Sequence, residues 1–481
     1  MGTLDYRSFM DISRRNFLLS TGAFALSAGC RSTSLFGKPD LRFGVISDIH
    51  VTTENSCRIL KKSFKYFKRR GVDCVVIPGD LTDWGTKGSF VLLKNTWDDV
   101  FGGTEVKPIF CTGNHDYDGW FYSDMTMEMH ANGVSENDAM VKHGFKDSWE
   151  ELFGEKFEPV RVRSVKGYDF VSVEWRGQNN FKAWMEENSK RFENDKPFFF
   201  FQHVPIKGTT RDSSSGGGDD GVKSVLENYH NCVAFTGHTH RTFNFESSIW
   251  QGGFSAIAVP SLSYTSMRFA ENGSGNRAGL ATQTMPPLPL RADHCGGQGY
   301  VVNVWNDCIA VERIDLRNET SDCRDWVIPL GKNSDKPYDP ASLSKRIPSP
   351  RFPEGAKVEV ETRNTENRVG KWAIVMNCEF PSAVVDGGYR VYDYQIRAVV
   401  LDGSPHKMVK TFLSPAFAKQ AKFEPLRQRF WFNVNELPQG KRYVLEVTAR
   451  NCFGKASKPV YSKEMMSVPG FAEVDKSGIK G

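Results

Sequence analysis

The chain has 481 residues, 39% of them hydrophobic and 25% charged, with a formal net charge of +5 at pH 7. That length accommodates two domains, each with a sizeable core, and the charged fraction is that of an average soluble protein. No dense Lys/Arg stripe interleaves with aromatic residues, so specific nucleic-acid binding is not expected. The cluster Lys61, Lys62, Lys65, Lys68, Arg69 and Arg70 instead reads as the solvated face of one helix.

In chain order, the first element is a targeting segment, residues 1–29. Ser13-Arg14-Arg15-Asn16-Phe17-Leu18 resembles a twin-arginine export signal, and Phe17 to Gly29 is an apolar run too short to span a bilayer. It ends in Leu26-Ser27-Ala28-Gly29-Cys30, which is similar to a lipoprotein box with Cys30 as the acylated residue; Ser27 stands where that box prefers Leu. These features imply an exported protein of the periplasm or cell envelope. Its contact with the membrane would run through a lipid on Cys30.

From Leu41 onward strand and helix patterns alternate. Leu41–Ser47, Val72–Pro78 and Pro108–Thr112 read as buried strands, separated by an amphipathic helix over Asn55–Arg70 and a second over Ser89–Val100. After a long excursion come the strand Tyr168–Trp175, the helix Asn180–Phe192 and the strand Pro197–Gln202. A short helix over Val222–Tyr229 and the strand Asn231–Thr236 follow, and then Phe254–Val259, Gly299–Trp305 and Cys308–Leu316 read as strands. The loops Tyr117–Lys146, Gly208–Gly221 and Arg268–Gln298 are long for a compact domain. Cys74, Cys111 and Cys232 sit inside apolar strand runs and read as buried thiols, whereas Cys295, Cys308 and Cys323 lie close enough in sequence for a local bridge.

Five polar motifs stand at the ends of these strands: Asp48-Ile49-His50, Gly79-Asp80-Leu81-Thr82-Asp83, Gly113-Asn114-His115-Asp116, Gln202-His203-Val204-Pro205 and Gly237-His238-Thr239-His240. The carboxyl edge of an α/β sheet is where ligands bind. A single Asp-x-His or a Gly-Asn-His-Asp turn means little by itself, but five such motifs, each at a strand end, are not independent accidents. Imidazole and carboxylate ligands suit Mn, Fe or Zn.

The ordered set resembles the calcineurin-like metallophosphoesterases over Leu41–Leu316, with no ligand position substituted. The resemblance implies two divalent or trivalent transition-metal ions, Mn, Fe or Zn. Asp48, His50 and His240 would hold one, Asn114, His203 and His238 the other, and Asp80 would bridge them. It implies hydrolysis of phosphate esters by attack of a metal-bound hydroxide, with His115 as catalytic proton donor, Asp116 orienting it, and Asp83 supporting a ligand or the loop. The substrate would be a small-molecule or polymeric phosphate ester, a monoester or a diester, with cyclic nucleotides among the candidates. His50 and Asp83 separate the pattern from purple acid phosphatases, which place a tyrosine ligand after the Gly-Asp motif.

Residues 331–353, rich in Pro, Ser and Lys, read as a linker between a phosphoesterase domain over 41–330 and a second domain over 354–470. Beyond the linker only strand patterns occur. Leu437-Pro438-Gln439-Gly440 followed by Tyr443 resembles the tyrosine corner of fibronectin type III-like sandwiches. The expected fold class is therefore α/β, a calcineurin-like β-sandwich flanked by helices, followed by an all-β fibronectin type III-like sandwich. A cell-envelope binding or adhesion protein built around that second domain is the competing reading. A relic first domain should then have lost ligands, and none is missing.

Overall fold

The computed structural model describes residues 37–117, 132–133, 145–175, 177–210, 221–265, 296–321, 323–366, 372–405, 408–414, 417 and 426–466. The expected export signal and lipid site at Cys30 fall outside them, as does Cys295 of the expected local bridge. The chain divides into two compact units, the first containing residues up to Phe243 together with Ser247–Ser263 and Gly297–Leu343.

The first unit is built on two six-stranded sheets. In one, the parallel strands β1 (Leu41–Val45), β2 (Cys74–Pro78) and β3 (Lys107–Cys111) continue through the antiparallel strands β10 (Gln298–Val304), β11 (Cys308–Asp315) and β12 (Trp326–Pro329). The order across this sheet is β12-β11-β10-β1-β2-β3. In the other, β4 (Val160–Val165), β5 (Tyr168–Val173), β6 (Phe198–Gln202), β7 (Cys232–Thr236), β9 (Ser255–Ala258) and β8 (Ile249–Gln251) lie side by side in that order, with β5, β6, β7 and β9 parallel.

Strands β2, β6 and β7 are buried along their whole length. This explains why their sequences are unbroken apolar runs rather than alternating ones, since both faces of a parallel sheet are covered. The inner faces meet through aromatic rings. Phe43 of β1 packs edge-on against Phe170, Phe199 and Phe235, with centroids 5.3, 4.7 and 5.9 Å away. Three of the buried thiols, Cys74, Cys111 and Cys232, lie within the strands where the sequence placed them.

Helices cover the outer faces. α1 (Cys57–Arg70) buries Leu60, Phe64 and Phe67, and ends at Gly71, whose left-handed backbone (φ +64°) lets its N–H close on the carbonyl oxygens of Lys68 and Phe67. Phe64 packs on Trp97 of α2 (Lys87–Phe101) at 5.3 Å. α2 starts where Thr86 accepts the N–H of Ser89, a side-chain N-cap. α3 (Phe145–Phe153) adds Phe145 and Trp149 to the same cluster. On the other sheet, α4 (Gln178–Asn188) sets Phe181 against Phe200 at 4.9 Å, and α5 (Val222–Leu226) buries Val222 and Leu226. The sequence pattern assigns no element to β4 or to most of α3, which fall in the excursion before Tyr168.

The second unit contains an all-β sandwich. One sheet pairs β13 (Glu359–Glu366), β14 (Trp372–Pro381) and β17 (Arg427–Asn433). The other orders β16 (Val409–Leu413), β15 (Asp393–Val400), β18 (Arg442–Arg450) and β19 (Val460–Tyr461), with β20 (Met465–Met466) also on β18. Phe380 and Phe430 of the first sheet meet Tyr394 of the second at 5.3 and 6.2 Å. Asp393 and Arg450 face each other in the β15–β18 register, and the buried guanidinium donates to both carboxylate oxygens at 2.8 and 2.7 Å. The segment read as a linker is not structureless: α6 (Pro340–Arg346) lies within it, with Leu343 buried.

Candidate metal centre

All five motifs emerge at the carboxyl ends of parallel strands: the first three from β1, β2 and β3, the others from β6 and β7. The strand ends are stitched together by backbone bonds. Asp48 N–H donates to Gly79 O at 3.2 Å, Gly237 N–H to His203 O at 2.8 Å, and Leu262 N–H to Ser47 O at 2.9 Å. The edges of the two sheets thereby form one polar floor.

Among the described residues, seven non-glycine positions have positive φ, and five of them are Asp48, His50, Asp80, His238 and His240. A left-handed backbone is costly for residues with a Cβ, and such outliers cluster at functional sites where the surrounding structure holds them. Here the turns bring Asp48 and His50 into one group, and send His238 toward His203 and His240 toward Asp48. Two motif glycines make the close approach possible. A Cβ on Gly79 would lie 2.3 Å from His203 Nδ1, and one on Gly113 would lie 2.2 Å from Asp80 Oδ1.

The seven residues expected as ligands come together. His240 Nε2 lies 3.0 Å from Asp48 Oδ1 and 3.3 Å from His50 Nε2, and His50 Nε2 lies 3.7 Å from Asp80 Oδ2. Asp48, His50, Asp80 and His240 thus form one buried group of converging donor atoms. His203 Nε2 is 3.1 Å from the same Asp80 Oδ2, and His238 Nδ1 is 3.3 Å from His203 Nε2 and 3.1 Å from Asn114 Oδ1. Asp80 lies between the two sets. The outer nitrogens are also arranged: His203 Nδ1 meets Pro78 O at 2.9 Å and His50 Nδ1 meets Asp83 Oδ1 at 2.9 Å. Fixing the outer nitrogen in this way points the inner one at a cation, which is the usual support of a metal-ligating histidine.

Electrostatics favour the same reading. Burial opposes charge on Asp48, yet His240, His203 and His50 hold its carboxyl far below the usual range. Asp80 is also lowered; burial opposes this, and His203 is the main group pulling it down. Burial works against a charged His203, but Asp80 and Asp48 keep its pKa up at about 9. His238 is pushed down to about 4 by burial and by the neighbouring His203. Two buried carboxylates demand positive charge, and a donor set of carboxylate, imidazole and amide oxygen without thiolate fits Mn, Fe or Zn.

One expected role changes hands. The Asp116 carboxylate does not face the His115 ring. One of its oxygens accepts from Thr82 N–H at 2.7 Å and Thr82 Oγ1 at 2.9 Å, the other from Gly113 N–H at 2.8 Å and Leu81 N–H at 3.1 Å. Asp116 therefore ties the second motif to the third, and burial and the Asp80 charge raise its pKa to about 7 against those donors. The group beside His115 is Asp83, whose backbone oxygen lies 3.1 Å and carboxylate 3.4 Å from His115 Nδ1. His115 and Asp116 open a helical turn, and consecutive residues there point about 100° apart. Adjacency in sequence therefore misled. The carboxylate of Asp83 serves His50 and His115 together, so the close trio His50, Asp83 and His115 is accounted for without an ion of its own.

Glu174, after β5, carries no motif and was missed. Its buried carboxylate accepts from Thr112 N–H at 2.7 Å and Thr112 Oγ1 at 2.6 Å, and pairs with Arg161. It braces the turn that carries Asn114 and His115. An acidic residue just past the end of a largely apolar strand was the only signal.

Residues 41–242 match the family model for calcineurin-like phosphoesterases. Comparison with curated proteins finds no match. Solved structures similar to the chain include GAP50, the anchor in the inner membrane complex of Plasmodium, at 12% identity and TM-score 0.35, covering 61% of this chain and 89% of that one. A conserved protein of Streptococcus pneumoniae described as a phosphoesterase matches at 11% identity and TM-score 0.27, over 60% of this chain and 97% of its own. Purple acid phosphatase from yellow lupin seeds matches at 11% identity and TM-score 0.39, over 60% of this chain and 53% of that one.

Proposed function

We propose that the first unit is a binuclear-metal phosphoesterase that hydrolyses phosphate esters, with monoesters and diesters, cyclic nucleotides included, both open to it. The observation that carries this reading is the convergence of seven donors, five of them on left-handed backbone, about a shared Asp80. Asp48, His50 and His240 would hold one ion, Asn114, His203 and His238 the other, with Asp80 between. Bound there, two such cations clamp a phosphoryl group and make water acidic enough to act as a nucleophile near neutral pH. His115, steadied at Nδ1 by Asp83, would present Nε2 to the leaving oxygen and give up a proton as the ester bond breaks.

Asp116 and Glu174 would keep the loops in register. Full-length protein loaded with Mn, Fe or Zn should hydrolyse p-nitrophenyl phosphate or bis(p-nitrophenyl) phosphate. No turnover of either ester with any of the three metals would overturn the proposal.

The second unit is proposed to be fibronectin type III-like, a reading supported by its three- and five-strand sheets and by the buried Tyr443 after Leu437-Pro438-Gln439-Gly440. Export and lipid attachment at Cys30 are proposed from Arg14-Arg15 and the apolar run that follows. Intact-mass analysis of the membrane fraction should show lipid on Cys30; its absence there would remove the anchor.

A further inference from the structure

We propose that Trp84 is a stacking platform for the ring of the substrate, and that the substrates of this site are phosphate esters carrying a flat aromatic base. The inference rests on the phosphoesterase reading and adds a substrate class to it.

Among the described residues of the first unit, Trp84 is the exposed large hydrophobic side chain, 58% exposed; the others of this kind belong to the second unit. A single exposed aromatic needs no explanation by itself, but its position here supplies one. The floor of the site is closed, with Asp48, Asp80 and His203 essentially without solvent contact. The site opens toward His115 and Asp83, whose side chains are 28% and 32% exposed. Trp84 follows Asp83 directly in the chain, which sets its backbone beside that opening.

Its backbone is held. Thr82 on one side is tied to Asp116 and, by a parallel bridge, to Val51. Gly85 on the other side is buried and donates its N–H to Thr82 Oγ1 at 2.9 Å. The indole thus projects from a short, fixed segment, and no described ring packs against it. A rigid exposed ring loses little freedom on binding another ring, and such stacking is sequence-tolerant because every base has a π-face. In a nucleotide the base lies one sugar beyond the phosphate. A phosphate on the floor therefore places the base at the rim.

The test uses full-length, manganese-loaded protein and two diesters with the same leaving group, the p-nitrophenyl ester of thymidine monophosphate and methyl p-nitrophenyl phosphate. Trp84→Ala should raise KM for the thymidine ester about tenfold, as loss of one stacked base does. It should leave kcat for that ester and both constants for the methyl ester unchanged, and Trp84→Phe should restore most of the loss. An unchanged KM for the thymidine ester, or an equal rise for both esters, would overturn the proposal. If the wild-type protein hydrolyses neither ester, the phosphoesterase reading fails separately. Calorimetric titration with thymidine monophosphate then decides the stacking: about tenfold weaker binding in Trp84→Ala upholds it, and equal binding overturns it.

Discussion

Asp80→Asn should empty both cation positions at once and abolish turnover. The side chain is 1% exposed, and its Oδ2 lies 3.1 Å from His203 Nε2 and 3.7 Å from His50 Nε2, facing both donor sets. Of the other expected ligands, Asp48 also nears the second set, its Oδ1 3.9 Å from His203 Nε2. Asp80 Oδ1 accepts the N–H of His115 at 3.0 Å, and an amide oxygen can keep that bond, so the loops should hold their course. What is lost is the negative charge between two cations. Removing an outer-shell partner costs roughly 10–100-fold in metal affinity or activity, and a shared inner ligand should cost more. Elemental analysis should find the ion content of the variant falling from two toward none. Retention of both ions would show that Asp80 is not shared.

His115→Ala should keep both ions and lose rate. Its Nδ1 is engaged by Asp83, at 3.1 Å to the backbone oxygen and 3.4 Å to the carboxylate, and the ring is not part of either donor set. Loss of a positioned proton donor costs about 10²–10⁴-fold. The deficit should be smallest for nitrophenolate, which departs without protonation, and largest for alkyl or nucleoside leaving groups. A uniform loss would mean that His115 stabilises phosphate charge rather than moving a proton, and loss of metal would make it a ligand. Asp83→Asn should do both kinds of damage in milder form, because its carboxylate also lies 2.9 Å from His50 Nδ1.

The sequence made the framework and the donors legible for a physical reason. Strands buried on both faces are unbroken apolar runs, so the polar residues that follow them stand out, and Asp48, His50, Asp80, Asn114, His203, His238 and His240 all lie just past such a run. What it hid were contacts made over distance. Nothing local to Asp116 shows that its oxygens are taken up by Leu81 and Thr82, or that Asp83 reaches His115 across 32 positions of chain. Glu174 looked like the end of a strand because its partner, Thr112, lies 62 residues away. The strand β4, VRVRSV, alternates weakly and half of it is only partly buried, which is why the pattern assigns it no element. The left-handed turns at the ligands are likewise imposed by the packing of strand ends rather than by residue preference.

Anomalous diffraction from crystals of the full-length protein, grown with manganese and recorded at the metal edge, tests the central claim most directly. Two peaks should appear, roughly 3.5–4 Å apart, one against Asp48, His50 and His240, the other against Asn114, His203 and His238, with Asp80 touching both. A single peak at full occupancy, or none, would contradict the binuclear site.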